Sequence, residues 1–188
     1  MGEPGFSDKL LVQPSNLGDM EALLQEPAAF FGLAPDSPLE LNAQGCHDFQ
    51  EAADSYAAGF ILSAMMFLVR AMEDVTRCYY LRVTELGTFR KGGREPGWST
   101  LNVTLSIPAL RCHQRITDIL IELSKKRNRL MHAVELDPAE WNERQALHLF
   151  RQSRKVISYI LQDLETRNGG QTSMSDRKVE EKRNDEKE

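Results

Sequence analysis

The chain has 188 residues, 41% hydrophobic and 27% charged, which is the composition of one globular domain with room for a real core. Its three cysteines, Cys46, Cys78 and Cys112, are far apart and form no CxxC pair, so neither a disulfide framework nor a zinc site is expected, and a reducing cytoplasm is the natural setting. The net charge of −5 is unevenly spread: residues 1–56 carry ten acidic side chains and one lysine, residues 57–166 carry sixteen basic and twelve acidic ones, and the last 22 residues cancel.

Residues 1–46 are rich in proline, glycine and acids and read as a leader. Met1 to Lys9 lacks the basic-then-apolar pattern of a secretion signal. Asp19 to Gln25 can form a short helix capped by Asn16. Phe30, Phe31 and Leu33, bounded by Pro27 and Pro35, form an aromatic patch expected to dock on the rest of the protein. A second reading lets the acidic segment cover a basic site.

A long helix is expected from His47-Asp48 to about Glu85, with Asp48 as cap and Glu51 three residues later as in a capping box. Ser55 to Val69 carries no charge, but it is shorter than the roughly 20 residues of a membrane span. A helix apolar on nearly every side is buried on more than one side, as a central helix or as part of a subunit interface. Its charged end, Arg70, Glu73, Asp74 and Arg77, offers ion pairs within the helix, or contacts to a helix that follows.

Gly87, Gly92, Gly93, Pro96 and Gly97 mark a break in residues 87–106. Arg90, Lys91 and Arg94 with Phe89 and Trp98 make a basic loop that reads as a surface insertion with a docked tryptophan, or as an RNA contact. Leu101 to Leu105 alternates weakly, as a short extended piece would.

The next helix is expected to begin after Ser106, with Pro108 in its first turn, and to end shortly after His132. Its apolar row, Ala109, Cys112, Ile116, Ile119, Leu123 and Leu130, is interrupted by Arg127. Arg127 and Ile116 are eleven residues apart and so lie within about 20° of each other round the helix. A guanidinium cannot shed its proton and is costly to bury without a partner, so it requires a carboxylate, an exit to solvent, or a polar site. Asp137-Pro138-Ala139-Glu140 then reads as cap, first-turn proline and capping-box glutamate of a last helix running to about Thr166. Arg167 to Glu188 is charged, nearly devoid of large apolar side chains, and expected to be disordered.

The stretch Arg127-Asn128-Arg129-Leu130-Met131-His132 resembles the Arg-x4-His signature of HEPN domains. The preceding helix, with Arg70-Ala71-Met72-Glu73, is similar to the arginine- and glutamate-bearing helix that such proteins place before the signature helix. The resemblance covers residues 47–166 and implies an all-α, up-and-down helical bundle. It also implies a homodimer whose cleft cleaves RNA without metal or cofactor, with Arg127, Asn128 and His132 as catalytic residues. Lys126, Arg129 and Arg70 are the expected substrate-binding cations and Glu73 the supporting carboxylate. Histidine titrates near neutrality and serves as base or acid, while arginine offers a fork for phosphate oxygens. Arg127 and His132 stand about 140° apart on an ideal helix, so they meet only through a distorted helix end or across a dimer. Family analogy extends to defence roles and to an antitoxin or operon partner. Val134 departs from the tyrosine that toxins paired with a nucleotidyltransferase often carry two residues after the histidine. The alternative is a non-catalytic helical module that dimerises or binds a nucleotide or a partner protein.

Overall fold

The computed structural model describes residues 25–31, 43–86, 95–132 and 141–185, with isolated positions 22, 33, 39 and 41; side chains at the C-terminal end are described up to 168. These residues form an all-α bundle with no strand among them. In chain order the helices are α1 (Pro27–Phe30), α2 (Ala43–Ala57), α3 (Ile61–Val83), α4 (Trp98–Leu105), α5 (Gln114–His132) and α6 (Glu143–Asp185), with a 3-10 turn at Pro108–Leu110 between α4 and α5. No described helix is long and apolar enough to cross a membrane.

The expected single helix from His47 to Glu85 is a hairpin of two. Ala58 and Gly59 form a turn, and Gly59 adopts a φ of +81°, in the left-handed region that side chains disfavour. Within Ser55–Val69, Ala64, Met65, Leu68 and Val69 are buried while Ala57 to Phe60 at the turn are exposed, so this stretch is not one helix buried on all sides. Gly45 permits close approach of the pair, since a Cβ there would collide with the carboxylate of Asp74 on α3. Asp48 is not a cap: it lies inside α2, nearly fully buried, and accepts a hydrogen bond of 2.9 Å from the Gln44 amide.

α3 is the central element and packs against α2, α4, α5 and α6. Its buried face, with Leu68, Val69, Met72, Val75 and Tyr79, meets Ile116, Leu120 and Leu123 of α5 and Phe150, Ile157 and Ile160 of α6 in one core. The aromatic patch before α2 joins that core: Phe31 is 1% exposed, with its ring centroid 4.3 Å from that of Phe49. The core thus draws on residues ahead of position 47. Leu164 is the last buried side chain described on α6, while the helical backbone continues to Asp185.

Two expectations around α5 are corrected. Residues 101–105 are helical, not extended. Trp98 is buried at the start of α4, and Asn102 donates a hydrogen bond of 3.2 Å to the Leu120 carbonyl of α5. Pro108 does not open α5 but sits in the 3-10 turn. Arg111 follows with a φ of +52°, and α5 begins three residues later. Arg167 of α6 secures this entry by donating to the carbonyls of Leu110 (3.0 Å) and Arg111 (3.2 Å) while pairing with Asp163 (2.6 Å). For α6 the observed cap is Asn142, whose Oδ1 accepts the Gln145 N–H at 3.1 Å. The expected cap sequence 137–140 and the aromatic-basic loop 87–94 lie outside the described residues, as do Asn16 and most of the expected short helix 19–25.

Candidate functional site

The C-terminal half of α5 runs beside α3 on one side and α6 on the other, and its charged side chains divide between them. Arg127 faces α3. Its Nη2 lies 3.4 Å from Glu73 Oε2, and Arg77, one turn further along α3, reaches Glu73 Oε1 at 2.8 Å. One carboxylate, 12% exposed, is thus held between two guanidiniums that are each about 30% exposed. Arg77 Nε also lies 3.7 Å from Glu95. The Nε atoms of both arginines are buried and make no hydrogen bond among the described residues. Arg127 meets its requirement for a counter-charge without leaving the seam between α3 and α5.

Asn128 carries this arrangement toward solvent. It is exposed, and its Oδ1 accepts a hydrogen bond of 3.2 Å from Arg127 Nη1. His132 is exposed at the last position of α5. On an ideal helix Asn128 lies about 100° from Arg127 and about 40° from His132, so it stands between them round the helix. The ring and the guanidinium remain on different sides of α5 within one copy.

The remaining expected residues fall in two other places. Lys126 faces α6, 3.4 Å from Glu122 and donating at 2.9 Å to Gln152. Burial pushes the Glu122 carboxyl up, but the Gln152 amide and the Lys126 ammonium outweigh it, and Glu122 titrates below the usual carboxylate range. Arg129 is exposed, its guanidinium 5.8 Å from the centre of the Trp141 ring. Arg70 is not brought to this group. Its Nε pairs with Asp48 of α2 at 3.4 Å, and it lies over the Phe67 ring. Arg70 stands about 60° round α3 from Glu73 and one turn nearer the hairpin turn, where Asp48 of α2 takes it. Both earlier readings of the charged end of α3 therefore hold in part. Glu73 and Arg77 pair within the helix, and Glu73 also holds Arg127.

A second cluster of polar side chains, at the other end of α5, carried no signal in the sequence. Tyr79, fully buried, donates to Asp163 Oδ2 at 2.8 Å beside Cys112 and Arg167. Burial, then hydrogen bonds to Cys112 and Asp163, push the phenol far above its ordinary range, and burial also raises the Cys112 thiol. Through these bonds the cluster ties α3 and α6 to the segment that leads into α5. Among the described residues no three histidine, cysteine, aspartate or glutamate side chains gather where they could hold a metal ion. Compared with known proteins, the chain matches no family model, no curated protein and no solved structure.

Proposed function

We propose that the C-terminal end of α5 binds an RNA phosphodiester and that the protein is a metal-independent endoribonuclease of HEPN type, its cleft composed by two copies. The observation that carries this is that Glu73 positions the Arg127 guanidinium, that Asn128 bonded to it is exposed, and that the His132 imidazole is exposed one turn beyond Asn128 at the end of α5. Arg127 supplies charge for the phosphorane, Asn128 orients a phosphate oxygen or the ring, and His132 moves the proton of the 2′-hydroxyl or of the leaving oxygen. The cations Lys126 and Arg129 flank this end and add attraction for the RNA backbone. Arg70, paired with Asp48, is dropped from the set.

A second reading is a non-catalytic module that uses the same residues for dimerisation, nucleotide or partner binding. One observation favours it: Glu73 and Asn128 already engage the guanidinium, leaving it neutralised within one copy. Purified protein incubated with RNA in EDTA separates the two. Cleavage by the wild type that is lost in Arg127→Ala and His132→Ala supports the enzyme. Equal cleavage by all three, or none by the wild type together with a dimer disrupted by His132→Ala, removes it.

A further inference from the structure

From Arg144 to Gln162, α6 contains four Lys and Arg residues and no Asp or Glu, in a chain whose net charge is −5. Arg144, His148, Arg151 and Lys155 are all exposed and lie within about 40° of their common direction round the helix, opposite the core residues Phe150, Ile157 and Ile160. An aromatic ring stands at each end of this row. At one end Arg129 of α5 lies 5.8 Å from the Trp141 ring centre, and at the other Lys155 Nζ lies 5.9 Å from that of Tyr159. From Arg144 to Tyr159 the row is about 22 Å long. Glu122 of α5 lies close enough to His148 to act on it electrostatically, and Arg144 and Lys155 stand on either side of that point along the row.

We propose that this outer face of α6 is a track for single-stranded RNA, with Arg144, His148, Arg151 and Lys155 on successive phosphates and Trp141 and Tyr159 as stacking platforms for bases at its ends. The choice of RNA rests on the cleavage reading above; the face itself does not contain the cleaving residues. A row of basic side chains with a partly exposed aromatic at each end matches a single strand, whose bases are free to stack, better than an acidic peptide, which offers charge alone. The track begins beside Arg129, three residues before His132, so a strand lying along it arrives at the end of α5.

The test uses a fluorescent 2′-O-methyl oligouridine of about a dozen nucleotides, which cannot be cleaved through its 2′ position, and fluorescence anisotropy over a range of salt. Arg144→Glu/Lys155→Glu lowers affinity on the order of tenfold at physiological salt. Arg144→Gln/Lys155→Gln reduces the slope of log affinity against log salt by about 1.4, the contribution of two phosphate contacts. Circular dichroism confirms that both variants, altered only at exposed positions, stay folded. Unchanged affinity and slope in folded variants, no binding by the wild type, or equal competition by polyglutamate would each overturn the track. Cleavage assays on Arg127→Ala and His132→Ala are run in parallel. Loss of cleavage there with unchanged binding in the α6 variants would sink the track alone, and the reverse pattern would sink the cleavage reading alone.

Discussion

Glu73 holds two guanidiniums with one carboxylate, and the arithmetic of charge makes it the residue on which this seam depends. Remove its charge and Arg77 and Arg127 face each other across a partly dry gap, each with a buried Nε that already makes no hydrogen bond among the described residues. Glu73→Gln should lower unfolding stability by about 1–3 kcal/mol, less than for a fully buried pair because both arginines can turn toward solvent. A double-mutant cycle with Arg127→Gln, read by urea unfolding, should give a coupling of about 1 kcal/mol, and additive effects would mean that the pair does not form in solution. Tyr79 makes a different demand, visible in alkali. In the unfolded chain its phenol loses a proton near the ordinary value of 10.0, whereas in the fold burial, Cys112 and Asp163 keep that proton on to much higher pH. Tyr56 behaves likewise, through burial and its hydrogen bond to Glu143. Above pH 10.0 the folded form therefore binds more protons than the unfolded one, and stability falls as pH rises. Each such phenol contributes about 1.4 kcal/mol per pH unit to that fall. Tyr79→Phe should cost about 1 kcal/mol at neutral pH through the lost hydrogen bond to Asp163, and it should make the alkaline decline shallower by one proton's worth of slope in urea midpoints measured from neutral to alkaline pH.

The hairpin of α2 and α3 shows what a sequence pattern conveys about an element and what it leaves out. Apolar residues on every side of Ser55–Val69 signalled burial, which holds for Ala64, Met65, Leu68 and Val69 but not for the exposed turn Ala57 to Phe60, and the same pattern fits one central helix or two helices packed together. Only Gly59 distinguished them, and a single glycine inside an apolar run is also tolerated in a helix. Its left-handed φ of +81° makes the distinction testable. A Cβ at Gly59 would meet nothing within 4 Å, so strain and not collision sets the cost of substitution. Gly59→Ala should destabilise by about 1–2 kcal/mol, and Gly59→Asn by less, because asparagine tolerates this conformation. In a continuous helix, alanine would instead stabilise, and thermal unfolding of the two variants decides between them. α4 was misread for a related reason. Its residues Thr100, Val103 and Thr104 favour strands locally, but buried Trp98, Leu101 and Leu105 and the Asn102 bond to Leu120 share one helical side, and tertiary packing prevails over propensity. The end of α5 was legible because Arg127 interrupts an apolar row and so requires a carboxylate, an exit to solvent or a polar site. That the first of these holds, through Glu73, required knowing which way α3 faces.

At the scale of the whole molecule, the proposed chemistry depends on where two copies place what one copy keeps apart. Arg127 belongs to the α3 side of α5, tied to Glu73, while His132 is exposed on the far side, about 140° away on an ideal helix. If one copy were sufficient, a variant lacking either residue would be inactive, and a mixture of the two variants would stay inactive. In a two-fold dimer with two equivalent clefts, each drawing Arg127 from one copy and His132 from the other, the mixture behaves differently. Unfolding and refolding equal amounts of Arg127→Ala and His132→Ala together makes half of the dimers mixed. Each mixed dimer has one cleft with both residues intact and one with neither. The expected activity is therefore about a quarter of wild type, rising from the background of either variant alone. The recovery should vanish on dilution below the dimer's dissociation constant, because subunit association is then lost by mass action. Recovery that persists in a demonstrably monomeric sample would mean contamination or a different nuclease. A dimer that forms normally but recovers nothing would place both residues in one copy's site, and the shared cleft would have to be given up.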